Sequence, residues 1–119
     1  MSVEFFSREG TSYTPTYKTG FVADPTTTFT VWTPASGKKI VLTDIQISQA
    51  AAGTIRAYFF PSADTTAIPT LIFESLLGGS AAISQSFGTP LVNNYSNGIL
   101  RIVAGANGLL FVNLGGFEI

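Results

Sequence analysis

From Thr26 onward, hydrophobic and polar positions alternate in short runs, each closed by turn residues. Thr26 to Trp32 (TTTFTVW) is β-branched and aromatic and stops at Thr33-Pro34, which marks a strand end. Lys38 to Ser48 (KKIVLTDIQIS) sets Val41, Ile45 and Ile47 on one face and Asp44, Gln46 and Ser48 on the other, the period of two of a half-buried strand. The Ala-Ala-Gly53 turn leads into Thr54 to Phe60, where Ile55, Ala57 and Phe59 oppose Arg56 and Tyr58. Thr70 to Leu77 (TLIFESLL) also fits a helix, but it is short and no helical pattern follows it, so a strand is expected. Ala81 to Phe87, Ile99 to Ala104 and Leu109 to Leu114 complete the series. Gly78-Gly79 and Gly115-Gly116 read as turn residues, and Gly105-Ala-Asn-Gly108 as a hairpin loop joining the last two strands. Seven strands result, eight with Phe117 to Ile119 or part of the N-terminal stretch. Their spacing, near ten residues, predicts a single all-β domain, an antiparallel sandwich or barrel.

The first 25 residues follow another pattern. Tyr and Thr alternate around Pro15, and Asp24-Pro25 closes the segment; proline and the residue before it favour extended backbone. The chain is therefore divided into an extended N-terminal arm, residues 1–25, and a sandwich domain, residues 26–119. The arm is either a frayed terminus or a segment that orders against a neighbour through Tyr13 and Tyr17. Glu4 and Glu9 stand where a secretion signal carries basic residues, and no apolar run approaches the roughly 20 residues of a membrane helix. A soluble chain without a cleaved signal is expected.

Composition narrows the chemistry. The 119 residues include no Cys and no His, which excludes disulfides, a thiol nucleophile, a Cys/His zinc site and a histidine base. Charged residues are 11% of the chain, against about 25% in ordinary soluble proteins. Ser and Thr number 26, and the net charge is −1, too small to attract nucleic acid or acidic lipid from a distance. No Gly-x-Ser-x-Gly elbow, phosphate-binding glycine motif or Asp-x-Asp calcium run occurs, and Asp24, Asp44 and Asp64 are isolated. Lys38-Lys39 reads as a solvated strand edge. Among carboxylates, Asp44, Asp64 and Glu74 are the candidates for paired acid chemistry, with solvated outer faces and a self-bonded turn as the plainer explanation. No catalytic residue, metal or cofactor is expected.

The aromatics add a positive signal. Most of the 10 Phe sit at alternating strand positions and belong to a core. Trp32 is either a half-buried core residue or a sugar-stacking platform. Tyr58-Phe59-Phe60 puts aromatics on both faces of one strand, and after Glu74 only Arg101 and Glu118 are charged. Low charge, a mean hydropathy of +0.36 and a second apolar face point to surface buried in an assembly. Tyr58 and Phe60 are the expected interface residues of a homo-oligomer, taken to be a trimer.

The stretches Ile40-Val-Leu-Thr-Asp-Ile-Gln-Ile47, Gly53-Thr-Ile-Arg-Ala-Tyr58, Ile83-Ser-Gln-Ser-Phe-Gly-Thr-Pro-Leu91 and Ser96-Asn-Gly-Ile-Leu-Arg-Ile102, with a final strand near Gly116-Phe-Glu118, resemble small structural proteins of tailed bacteriophages. The resemblance spans about two thirds of the chain, Lys38 to Ile119, and lies in strand-turn patterns. It implies a jelly-roll-like β-sandwich of seven to eight strands serving as a capsid decoration (cement) protein. Its partners would be the major capsid protein and further copies of itself, with no nucleic acid, membrane or cofactor. Its place would be the capsid exterior of a virion assembled in host cytoplasm, with Phe5, Phe6, Tyr13, Tyr17 and Phe21 of the arm binding the partner. The alternative is a tail or baseplate receptor-binding domain, with Trp32, Tyr58 and Tyr95 stacking on glycan and Asn93 and Asn94 donating hydrogen bonds. A third reading is a small carbohydrate-active enzyme using Asp44 and Glu74.

Overall fold

The computed structural model describes residues 5–6, 12–13, 15–22, 29–50, 52–64, 66–104 and 110–119. Strands β1 (Phe5–Phe6) and β2 (Ser12–Tyr13) pair antiparallel as a small ribbon of their own. The eight strands that follow are β3 (Thr16–Val22), β4 (Phe29–Trp32), β5 (Ile40–Gln49), β6 (Gly53–Phe59), β7 (Thr70–Leu77), β8 (Ala81–Val92), β9 (Leu100–Ala104) and β10 (Leu110–Glu118). They form two antiparallel sheets, ordered β3-β10-β5-β8 and β4-β9-β6-β7. No helix occurs among the described residues, so the expected all-β sandwich is the observed fold.

The pairing is nested. Counting from β3, the first strand pairs with the eighth, the second with the seventh, the third with the sixth and the fourth with the fifth. A long ribbon rolled up so that its strands alternate between two sheets has this pattern, the jelly roll. The alternation also corrects one expectation: β9 and β10 lie in opposite sheets, so the Gly105–Gly108 stretch does not close a hairpin. Those loop residues themselves, like Thr26 to Thr28, fall outside the described residues. Residues 16–22 of the stretch expected as an arm form an edge strand, in register with β10 from Thr16 opposite Gly116 to Val22 opposite Leu110. Pro15 stands just before it, where a missing N–H costs no ladder bond.

The core lies between the sheets. One contributes Ile40, Leu42, Ile45, Ile47, Leu110, Val112 and Leu114; the other contributes Trp32, Ile55, Ala57, Phe59, Phe73, Leu100, Ile102 and Ala104. Each large side chain among them contributes about 1.5–3 kcal/mol from leaving water. Trp32 is fully enclosed, and its Nε1–H donates to Glu118 Oε2 at 2.8 Å. The other carboxylate oxygen of Glu118 accepts from the Ala35 N–H at 2.9 Å, so one side chain ties the end of β10 to the end of β4.

A bulge in β5 breaks the predicted period. Asp44 stands opposite Gly115 and Leu42 opposite Gly116, leaving Thr43 as an extra residue. The inward set therefore switches from Ile45 and Ile47 to Ile40 and Leu42. Val41, expected beside Ile45 and Ile47, lies on the other side, in register with Val92 and Phe117. Gly115 and Gly116 sit inside β10 at this bulge rather than in a turn. A Cβ on Gly116 would fall on the Val41 carbonyl oxygen, and one on Gly115 on the Asp44 carboxylate. Close approach of the Val41 backbone to Gly116 and of the Asp44 side chain to Gly115, not chain reversal, is the reason for this glycine pair.

Candidate functional site

With the core closed, function is left to the outward positions, and the registers assign them. On the β4-β9-β6-β7 sheet one rung reads Thr30, Arg101, Tyr58, Leu71; the next Val103, Arg56, Glu74; and the next Thr54, Leu76. Arg56 Nε donates to Glu74 Oε2 at 2.5 Å in an exposed ion pair, and that hydrogen bond and charge hold the guanidinium pKa above its ordinary value. Phe60, just past β6, packs edge-to-face against Tyr58 with centroids 6.4 Å apart, and the Arg101 guanidinium lies 5.6 Å from its ring centre. Phe60 is thereby 7% exposed, covered within its own chain, while Tyr58 stays half-buried. Leu71 is half exposed, Leu76 is 77% exposed and Ile68, ahead of β7, is 90% exposed. Leu71 and Leu76 stand along the β7 edge with Glu74 between them, and Ile68 just ahead of the strand.

The outer face of the β3-β10-β5-β8 sheet has a different character. Its rungs are Tyr17, Gly115, Asp44, Ser86; then Thr19, Asn113, Gln46, Ser84; then Phe111, Ser48, Ala82, with Phe21 as the register partner of Phe111. Asp44 is the one charged residue in these rungs, and its Oδ1 accepts from Thr43 Oγ1 at 2.9 Å. A cavity of about 280 Å³ opens at the end of this face, lined by Ser48, Gln49, Ala50, Ser80, Ala81, Ala82 and Phe111. Ser80 holds a positive φ of 53° at the turn before β8, and its N–H donates to the Ala50 carbonyl at 3.0 Å, which fixes the cavity's rim.

At the loop end, Asn93 is 3% exposed and fully engaged: its Nδ2 donates to the Phe60 carbonyl at 3.0 Å and its Oδ1 accepts from the Tyr95 N–H at 3.3 Å. Asn97, at φ 65°, accepts from the Gly37 N–H at 2.6 Å. Tyr95 and Asn94 are exposed beside them.

These placements bear directly on the candidate residues. Trp32 is enclosed in the core and bound to Glu118, so it offers no stacking platform, and Asn93 spends its amide on the backbone. Of the expected glycan-binding set only Tyr95, Asn94 and part of Tyr58 face solvent. Asp44 and Glu74 stand on opposite outer faces of the sandwich, so they do not form the close carboxylate pair that glycoside hydrolysis uses. Asp64 accepts from Thr66 N–H at 3.0 Å and Thr66 Oγ1 at 2.6 Å, the self-bonded turn expected for it; both bonds lower its pKa. One Ser-x-x-Lys spacing, Ser36 to Lys39, lies in the loop between β4 and β5, off any helix, so the two residues lack the shared helical face that would join them. No group of three or more Asp or Glu able to hold a metal occurs among the described residues. Of the arm residues, Phe5 and Phe6 pair with Tyr13 and Ser12 in the ribbon, while Tyr17 and Phe21 belong to β3. The neutral outer face is the feature that reading the strands one at a time misses, because its rungs come from four separated segments.

The fold defines the chain as an antiparallel jelly-roll sandwich. No family model matches it, and no curated protein does. Solved structures with a related arrangement include a chain of the capsid asymmetric unit of cyanophage Pam1, 17% identical over 87% of this chain and 84% of that one, with a TM-score of 0.46. A chain of Bacillus endospore appendages is 9% identical over 87% and 86%, with a TM-score of 0.39. A chain of the virus-like particle of Macrobrachium rosenbergii extra small virus is 10% identical over 87% and 79%, with a TM-score of 0.37. These likenesses are loose, and functional weight falls on the surfaces of the chain itself.

Proposed function

We propose that this chain is a non-enzymatic structural protein of a virion, a capsid decoration or cement protein that binds the outer shell and holds neighbouring major capsid subunits together. The observation that carries the reading is the apolar border of the β4-β9-β6-β7 face, where Leu71, Leu76 and Ile68 stand in solvent beside half-buried Tyr58. Large exposed apolar side chains strung along one border of a small domain favour a surface that is covered in use. The strand patterns that resemble phage structural proteins, and the sparse charge after Glu74, support the same reading. The cement acts by adding apolar contact across subunit joints; each copy contributes modestly and symmetry multiplies the effect. Tyr13, Tyr17 and Phe21, with Phe5 and Phe6, supply further anchoring from the N-terminal segment, and self-association as a trimer matches the repeated geometry of a shell.

The test is to add purified chain to shells of its virus assembled without it. Co-sedimentation and a rise in the temperature of shell disruption are expected, both weakened by Leu71→Lys with Leu76→Lys and by deletion of residues 1–20. Shells that neither bind the chain nor gain heat resistance would end the proposal.

A further inference from the structure

The neutral outer face and the cavity at its end form one continuous surface, and we infer that it binds a neutral oligosaccharide. The inference does not rest on the capsid reading, because it concerns the β3-β10-β5-β8 face, the side of the sandwich away from Leu71 and Leu76.

A neutral sugar presents two chemistries at once: an apolar patch of C–H groups on the ring face and hydroxyls around the rim. The cavity meets the first with Phe111, 47% exposed on one wall, and Ala50, Ala81 and Ala82. The aromatic ring offers the C–H patch a flat apolar surface without requiring a charged partner. Ser48 and Ser80 line the same cavity and meet the hydroxyls. One rung along, Asn113, Gln46 and Ser84 stand exposed side by side, about 4.8 Å apart from strand to strand. Each amide both donates and accepts, as a sugar hydroxyl does, so rows of amides and hydroxyls suit a chain of neutral rings.

Charge sharpens the ligand class. These rungs hold no cation to attract an acidic sugar, and Asp44, one rung beyond the amides, repels one. A nucleic-acid partner would call for a basic stripe, which these rungs lack. A protein partner would call for an apolar centre, whereas the apolar residues here stand at the two ends, Tyr17 at one and the Phe111 cavity at the other. The bulge at Thr43 and the Gly115-Gly116 approach hold β5 and β10 in fixed register beneath the rungs, so the ladder is preorganised rather than assembled on binding.

The test is a titration of the ¹⁵N-labelled full chain, followed by amide shifts, with cellohexaose, maltohexaose and xylohexaose in parallel, and hexagalacturonate as the acidic comparison. With at least one neutral hexamer, shifts are expected at residues 46–50, 80–84 and 111–113, saturating at or below about 10 mM. Phe111→Ala is expected to weaken binding about tenfold, the loss of one stacking contact. Ala82→Lys fills the cavity mouth from an exposed position and is expected to abolish the shifts, and it carries the test should Phe111→Ala fail to fold. Absence of shifts with all three neutral hexamers, shifts gathered instead around Tyr95, tighter binding of hexagalacturonate, or binding untouched by Ala82→Lys would each overturn the inference.

Discussion

The two outer faces of this sandwich share a core and little else. On the β4-β9-β6-β7 side, outward positions hold leucines, half-buried Tyr58, Arg101 over Phe60 and one exposed ion pair. On the β3-β10-β5-β8 side they hold mainly amides and hydroxyls with a single carboxylate, and the exposed aromatics Tyr17 and Phe111 stand at opposite ends. Inward positions are constrained by packing, since a core tolerates little change of volume. Outward positions are not, and two sheets of equal strand number have filled them in opposite ways. That asymmetry separates a face bordered by exposed leucines from one lined mainly by amides and hydroxyls.

Disturbing the support common to both faces has the largest expected effect. Gly116→Ala places a methyl on the Val41 carbonyl and is expected to cost about 3 kcal/mol in urea unfolding, with probes on both sheets melting together. Separate transitions would mean that the faces do not ride on one cooperative core. Glu118→Ala comes next: it leaves the enclosed indole N–H of Trp32 without its acceptor, at about 2 kcal/mol, and Trp fluorescence reports the loosened environment. Paired Leu71→Lys and Leu76→Lys is expected to change the stability of the domain by less than about 0.5 kcal/mol, while weakening co-sedimentation with shells by about tenfold. A comparable loss from Gln46→Lys with Ser84→Lys on the opposite face would erase the distinction drawn between them. The smallest effect belongs to Asp64. Its pKa is lowered in the fold by Thr66, so its contribution is present above the ordinary carboxylate value near 3.9 and is lost as pH falls through the lower folded value. Asp64→Asn should flatten the acid side of the stability profile slightly and leave both faces unaltered.

Much of the architecture is legible along the chain. TLIFESLL forms β7 over the span expected of it, and the strand expected from Ile99 to Ala104 is β9, just past a turn where Asn97 holds a positive φ. The rest depends on pairing, which local pattern does not contain. Thr43 is an ordinary strand residue until β10 lies beside it and leaves it without a partner, and only then does the inward face change from odd to even positions. Gly115-Gly116 looks like a turn for the same reason, since the carbonyl that demands the glycine belongs to Val41, far away in sequence. Phe60 alternates outward as expected, yet Arg101 from another strand covers it. The candidate surfaces were legible only in part: Tyr58 and the scarcity of charge stand in the sequence, whereas the rungs of the neutral face exist only once four strands are in register.

The nested pairing has a consequence for folding. β10 lies between β3 and β5 and is bonded to both, far from β3 along the chain. Until β10 docks, β3 has no partner in its sheet and β5 is paired on its β8 side alone, so the sheet stays split with backbone edges open. Completing the sheet thus depends on pairing as distant in sequence as Thr16 with Gly116, the kind of non-local contact that slows folding. Loss of β10 alone would leave not a slightly shortened domain but an open sheet with sticky edges on β3 and β5.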